Sequence, residues 1–115
     1  MSLLSTLFGP SVPTIHPAEV QEKLKNGKRP LVLDVREPHE TRDGYIAGAK
    51  LIPLGQLAGR MKELPKDREI VVVCRSGSRS ASAAKSLIQA GYTAINMKGG
   101  MLAWKWANLP VKKDK

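Results

Sequence analysis

The sequence has little cysteine, few aromatic residues and no long apolar run. Cys74 is the only cysteine among 115 residues, which excludes an internal disulfide and suits a reducing compartment, so we expect a cytoplasmic protein. Aromatic residues make up 4% of the chain and hydrophobic residues 42%, which predicts an aliphatic core. No apolar run approaches the length of a membrane span, so no membrane partner is expected. Residues 1–10 lack the basic region and cleavage site of a secretion signal.

Sequence signals for metal and nucleic-acid binding are also missing. His16, His39 and Cys74 lie far apart, which is a poor set of metal ligands. The net charge of +9 and the pI near 10.0 favour anionic partners of any size. The basic residues are spread along the chain and are not interleaved with aromatic residues. No zinc-finger spacing, phosphate-binding loop or RNA-binding aromatic motif is present, which argues against nucleic acid as the partner.

Predicted strands and helices alternate, which indicates an α/β domain with a mostly parallel sheet. Four apolar segments predict buried strands: Leu31–Val35, Lys50–Leu54, Glu69–Cys74 and Thr93–Met97. A weaker strand is predicted at Pro13–Ile15. Helical patterns cover 16–27, 54–65, 78–91 and 100–110. We expect one domain over residues 1–115, with its core at about 12–111 and with peripheral termini at 1–11 and 112–115.

The helical patterns also predict particular positions. Pro17 marks the first turn of the first helix, where its missing N–H is harmless, although His16 is not a favoured cap. In the segment 78–91, four apolar residues are expected to form the buried face: Ala81, Ala84, Leu87 and Ile88. Trp104 and Trp106 are two residues apart in the last helix, so they cannot share a face.

Cys74 lies where a predicted strand ends and a helix begins. In open parallel sheets, ligands bind beyond the carboxyl ends of the strands. The loop Arg75–Arg79 leads into a helix N-terminus, and Gly77 lets a tight loop turn several N–H groups toward one point. A thiol in such a cradle ionises more easily than a free thiol, and the thiolate is the nucleophilic form. The alternative is a small, inert, buried residue, but the polar loop, its glycine and the arginines favour a reactive cysteine.

Four motifs resemble those of rhodanese-like sulfurtransferases, in that family's order and spacing. They are LVLDVREPHE at Leu31–Glu40, GYIAGAKLIPL at Gly44–Leu54, CRSGSRS at Cys74–Ser80 and GGMLAW at Gly99–Trp104. The resemblance covers about 15–111. It implies a five-stranded, mostly parallel sheet with helices on both faces. It also implies that a donor such as thiosulfate gives its outer sulfur to Cys74, and that cyanide or another thiol removes it, with no metal or organic cofactor.

The resemblance assigns roles to particular residues. Cys74 is the expected nucleophile, and Asp34 and Arg36 are expected to support the loop from the neighbouring strand. The substrate-binding loop is expected to comprise Arg75, Ser76, Gly77, Ser78, Arg79 and Ser80. Apart from the resemblance, the positions of the two arginines in the loop predict that Arg75 lies at the mouth of the site and that Arg79 braces the loop against a carboxylate such as Asp34 or Glu40. His39 is expected on the surface without a catalytic role.

Two alternatives to a small-molecule sulfurtransferase are considered. Protein tyrosine phosphatases place five residues between the cysteine and the arginine, whereas four residues separate Cys74 from Arg79. A shorter loop makes a tighter cradle for phosphate, and no nearby aspartate could act as a general acid, which argues against a phosphatase or arsenate reductase. A persulfide carrier in a sulfur relay, with a protein donor or acceptor, would use the same Cys74 chemistry and stays open.

Overall fold

A five-stranded parallel sheet forms the centre of the molecule. The computed structural model describes residues 12–114, so the predicted peripheral segment 1–11 lies outside the described residues. The strands are β1 (Thr14–Ile15), β2 (Leu31–Asp34), β3 (Lys50–Leu51), β4 (Ile70–Val73) and β5 (Ala94–Met97). Their order across the sheet is β1-β5-β4-β2-β3, and every pairing is parallel. The predicted α/β class and the parallel sheet are confirmed.

Within residues 12–114, four α-helices and three short 3₁₀ helices accompany the strands. The α-helices are α1 (Pro17–Leu24), α2 (Leu57–Arg60), α3 (Ser78–Gln89) and α4 (Gly100–Trp106). The 3₁₀ helices are Pro38–Asp43, Leu54–Gln56 and Met61–Glu63. The α1 helix begins at Pro17 as predicted, and the Glu19 carboxylate accepts the backbone N–H of His16 at 3.3 Å.

The prediction of one helix over 54–65 is wrong. The segment forms α2 and two flanking 3₁₀ helices, because Gly55 and Gly59 weaken a continuous helix by about 1 kcal/mol each. The preceding strand is also shorter than predicted. β3 ends at Leu51 instead of Leu54, because the regular ladder with β2 breaks after it: Ile52 and Leu54 donate to the successive carbonyls of Asp34 and Val35, both at 3.0 Å.

The hydrophobic core lies on both faces of the sheet. Ile70 and Val72 of β4 pack on the face covered by α2 and α3, whereas Val71 and Val73 pack on the face covered by α1 and α4. This two-sided burial explains the continuous apolar run in that strand. The Cys74 side chain belongs to the α3 face.

The buried face of α3 differs from the prediction. Its buried residues are Ser80, Ala83, Ala84 and Leu87, whereas Ala81 and Ile88 are half-buried. The buried positions follow the i, i+3, i+4, i+7 pattern of one helix face. The prediction missed this face because it counted apolar residues only, and the first residue of the face is a serine. The correct face places Ser80 beside Cys74, where its hydroxyl oxygen lies 3.3 Å from the sulfur.

Candidate active site

Cys74 follows directly after the central strand, and its side chain is 1% exposed. Its Sγ accepts the backbone N–H groups of Gly77 at 3.1 Å and Ser80 at 3.3 Å. The loop therefore curls around the sulfur and directs its N–H groups at one point. Such a nest stabilises negative charge on the atom at its centre.

Gly77 and Gly100 give the loop its shape. Gly77 has a φ of +104°, in the left-handed region that favours glycine, and it directly precedes α3. Gly100 begins α4, and a Cβ there would lie 2.5 Å from the carbonyl oxygens of Cys74 and Arg75. The N–H groups of Met101 and Leu102 donate to these two carbonyls at 2.8 and 3.0 Å. The start of α4 thus holds the backbone of the cysteine loop in place.

The surroundings of Cys74 act on its pKa in opposite directions. Burial raises the pKa of the thiol and is the largest single influence. The Ser80 hydroxyl and the N–H groups of Ser80, Gly77 and Ser76 hydrogen-bond the thiolate and lower the pKa. Together these hydrogen bonds outweigh burial, so the pKa of Cys74 lies below that of an ordinary cysteine.

Arg79 binds Glu40 through a bidentate ion pair. Its two terminal nitrogens donate to the two carboxylate oxygens at 2.7 and 2.8 Å. The hydrogen bond from Arg79 holds the pKa of Glu40 at about 2, and the same contact raises the pKa of the guanidinium. Of the two carboxylates proposed from the sequence, the partner is Glu40 and not Asp34.

Asp34 and Arg36 form a buried ion pair at the end of β2. The guanidinium donates to the carboxylate at 2.7 Å, and it also donates to the carbonyls of Glu40 at 3.1 Å and Gly44 at 3.0 Å. Arg36 therefore contacts the middle of the 3₁₀ helix that carries Glu40 and the residue just after its end. In this arrangement, the pair reaches the cysteine loop indirectly, through the Glu40–Arg79 contact.

The other predicted loop residues lie at the surface. Arg75, Ser76 and Ser78 are exposed. Arg75 lines an open groove of about 350 Å³, together with residues from α4 and from the 3₁₀ helix 38–43. His39 lines the same groove and is exposed. Among residues 12–114, no three histidine, cysteine or acidic side chains are grouped so that they could hold a metal ion.

Asn96 is a residue of the site that the sequence analysis did not identify. It lies in β5, is 7% exposed, and accepts the Ser80 hydroxyl on its Oδ1 at 2.6 Å. Its Nδ2 donates to the Gly77 carbonyl at 3.2 Å. The sequence did contain a signal for this residue, since Asn96 places a carboxamide within an otherwise apolar strand. A buried polar group needs a hydrogen-bond partner, so a contact with the neighbouring loop could have been expected.

Known proteins share this combination of fold and loop. A family model described as a rhodanese-like domain matches residues 16–107. A sulfurtransferase of Allochromatium vinosum is 39% identical over 93 residues, which cover 80% of this chain and 87% of that protein. The putative sulfurtransferase YtwF of Bacillus subtilis is 38% identical over 96 residues, which cover 84% of this chain and 93% of that protein.

A solved structure gives the same result for the fold. The rhodanese-related protein of Thermoplasma volcanium aligns with a TM-score of 0.84 at 35% identity, covering 89% of this chain and 99% of that one. These features define the class of the protein. It is an α/β protein with a parallel sheet, in which a loop of N–H donors surrounds a cysteine at the end of the central strand. The family match makes this specific: the chain belongs to the rhodanese-like domain family. No helix within residues 12–114 is long and apolar enough to span a membrane.

Proposed function

We propose that the protein is a sulfurtransferase that carries the transferred sulfur as a persulfide on Cys74. The observation that supports this most directly is the convergence of the Gly77 and Ser80 N–H groups on the Cys74 sulfur. These donors stabilise a thiolate before transfer, and the same nest offers N–H groups to a charged sulfur attached to it. The sulfurtransferases named among its relatives support the same reaction class.

The reaction with thiosulfate and cyanide consists of two displacements at sulfur. The Cys74 thiolate attacks the outer sulfur of thiosulfate, the S–S bond of thiosulfate breaks, and sulfite leaves with the bonding electron pair. The cyanide carbon then attacks the outer sulfur of the persulfide. The persulfide S–S bond breaks, thiocyanate departs, and the electron pair returns to Cys74 as a thiolate. Exposed Arg75 beside the groove supplies positive charge that attracts the thiosulfate dianion.

The engagement of Arg79 argues against phosphatase activity. A phosphatase arginine needs its terminal nitrogens for phosphate, whereas both terminal nitrogens of Arg79 bond to Glu40. The four-residue spacing between Cys74 and Arg79 argues in the same direction. We therefore assign Arg79 a bracing role in the loop and not a role in binding the substrate.

Intact-protein mass spectrometry tests the proposal directly, because Cys74 is the only thiol in the chain. Thiosulfate should add the mass of one sulfur atom, and subsequent cyanide should remove it and release thiocyanate. The nearly isosteric Cys74→Ser variant should keep its melting temperature and lose both steps. Sulfur transfer by Cys74→Ser would contradict the mechanism. Weak turnover with small donors, together with rapid loading by a protein persulfide, would instead identify a relay carrier.

A further inference from the structure

A chain of hydrogen bonds links the reactive sulfur to the interior of the sheet. The Ser80 hydroxyl oxygen lies 3.3 Å from Cys74 Sγ and donates to Asn96 Oδ1 at 2.6 Å. The hydroxyl has one proton, so it cannot donate to both atoms at once. The Asn96 oxygen therefore competes with the Cys74 sulfur for that proton.

The orientation of the Asn96 carboxamide is fixed by its other end. Its Nδ2 lies 3.2 Å from the Gly77 carbonyl oxygen, which can only accept a hydrogen bond. Rotating the amide by half a turn would place its oxygen against that carbonyl and its NH₂ group against Ser80. The Oδ1 atom is therefore held toward the serine, within a site where Ser80 and Asn96 are both buried.

We propose that Asn96 is a positioning residue that holds the Ser80 hydroxyl proton away from Cys74 while the sulfur is neutral and releases it when the sulfur becomes a thiolate. In the thiol state, Cys74 S–H donates to Ser80 Oγ, and the Ser80 hydroxyl donates to Asn96. When Cys74 loses its proton to solvent, the serine oxygen faces a negative sulfur. The hydroxyl then turns to donate to Sγ, and Asn96 Oδ1 loses its donor. Each state thus has its own arrangement of the same three groups.

The same rotation serves sulfur transfer, and this step rests on the proposed function. The inner sulfur of a persulfide is neutral, so the Ser80 hydroxyl keeps donating its proton to Asn96 Oδ1. When the acceptor takes the outer sulfur, the S–S bond breaks and its electron pair remains on Cys74 Sγ. The Ser80 hydroxyl then turns toward the departing thiolate and stabilises it. Asn96 thereby keeps the Ser80 hydroxyl beside the sulfur, and the hydroxyl does not donate to the sulfur until the persulfide S–S bond breaks.

The charged groups around the loop stay the same when Asn96 is substituted. The Cys74 thiolate is one of the groups that raise the pKa of Arg79. The Arg79 guanidinium itself is paired with the Glu40 carboxylate. Other charged groups near the loop are the Asp34–Arg36 pair at the end of β2, Glu37, exposed Arg75 on the loop, exposed Lys98 after β5 and Lys105 of α4. A change in Cys74 titration on substituting the neutral Asn96 therefore reports on hydrogen bonding and not on a lost charge.

The test titrates the ultraviolet absorbance of the Cys74 thiolate in the full chain. Asn96→Leu keeps the shape and removes the acceptor, so the hydroxyl is free for the thiolate. It should lower the titration midpoint by about half to one pH unit. Ser80→Ala should raise the midpoint, because the thiolate loses a donor. In the Ser80→Ala background, Asn96→Leu should change nothing, since the two residues act through the same proton.

Specific results would overturn the proposal. If Asn96→Leu leaves the midpoint unchanged or raises it, Asn96 serves only to hold the Gly77 backbone. The same conclusion follows if its effect persists in the Ser80→Ala background. Thermal melts check folding, and Asn96→Ala replaces Asn96→Leu if the latter does not fold. Because the titration needs no sulfur donor, its result is independent of whether Cys74 forms a persulfide.

Discussion

At the scale of single residues, one ion pair ties the cysteine loop to a distant part of the chain. Arg79 lies at the end of the loop, in the first turn of α3, and Glu40 lies 39 positions away in the 3₁₀ helix 38–43. The pair is only partly solvent-exposed, at 35% for Arg79 and 19% for Glu40. Two parallel hydrogen bonds fix its geometry, so it contributes more than an ordinary surface pair.

This ion pair predicts a component of stability that is sensitive to acid. The folded protein holds the pKa of Glu40 at about 2, below its ordinary 4.5, so folding favours the carboxylate. The contribution is therefore complete above pH 4.5 and is lost as the pH falls toward 2. Glu40→Gln should lower the free energy of unfolding at neutral pH by about 1–2 kcal/mol, a figure reduced for solvent screening. Denaturant unfolding across this pH range measures both effects.

Glu63→Gln is the matched control for this prediction. Glu63 also has a pKa of about 2, caused mainly by its hydrogen bond from Arg60, but its ionic partners are Arg60 and Lys50 and not a residue of the cysteine loop. Its substitution should leave sulfur transfer unchanged, whereas Glu40→Gln should lower kcat because the brace on Arg79 is lost. If Glu40→Gln and the unmodified protein lost stability equally between pH 4.5 and 2, the assignment would be wrong.

At the scale of elements, the start of α4 supports the loop that precedes α3. The N–H groups of Met101 and Leu102 bond to the carbonyls of Cys74 and Arg75, and Gly100 allows the close approach. Two segments that are distant in sequence thus share one small volume beside the sulfur. The GG pair that opens the last motif therefore has a direct structural role at the site.

Gly100→Ala should disrupt this contact. The new Cβ would lie 2.5 Å from two backbone oxygens, and the residue has a φ of +60°, so the loop or the helix must move. We expect a loss of roughly 1–3 kcal/mol in the free energy of unfolding and a lower rate of sulfur transfer. Thermal melts and thiocyanate formation measure the two effects.

Gly59→Ala provides the comparison for Gly100→Ala. Gly59 lies exposed in α2, and a Cβ there would meet no atom within 4 Å. Alanine should therefore be neutral or stabilise the protein by about 0.5–1 kcal/mol, with unchanged sulfur transfer. Equal effects of the two substitutions would show that the close approach at Gly100 affects neither the free energy of unfolding nor the rate of sulfur transfer.

At the scale of the whole molecule, Trp104 packs in the core on the face of the sheet that α1 and α4 cover. It is 1% exposed, and its Nε1 donates to the Pro110 carbonyl at 2.9 Å, which ties the segment after α4 to the core. Trp106, one half-turn further along, is 90% exposed. The expectation that the two tryptophans do not share a face is borne out by these exposures.

The two tryptophans should differ sharply when truncated. Trp104→Ala should cost about 3–5 kcal/mol, which is a large part of the 5–15 kcal/mol that stabilises an ordinary domain. Trp106→Ala should change the free energy of unfolding by less than about 0.5 kcal/mol, because it leaves no cavity. Chemical denaturation followed by circular dichroism measures both. Comparable losses would mean that Trp106 is covered by a partner in solution.

Local patterns in the sequence determined the alternation of strands and helices. Continuous apolar runs marked the buried parallel strands, and the position of Cys74 at the end of one of them followed from residue types alone. The pattern failed at 54–65, where apolar spacing suggested a helix that two glycines interrupt, and at the buried face of α3, where Ser80 hid the stripe. Both errors arise because hydrophobic spacing ignores backbone entropy and buried polar partners.

Only the tertiary structure decided which groups meet at the sulfur. The sheet order places β4 between β2 and β5, and so brings Arg36 and Glu40 to one side of the loop and Asn96 and Gly100 to the other. These residues come from separate segments, and their spacing along the chain gives no sign of their contact. Local sequence fixes backbone conformation over a few residues, whereas the pairing of distant side chains depends on the packing of the whole sheet.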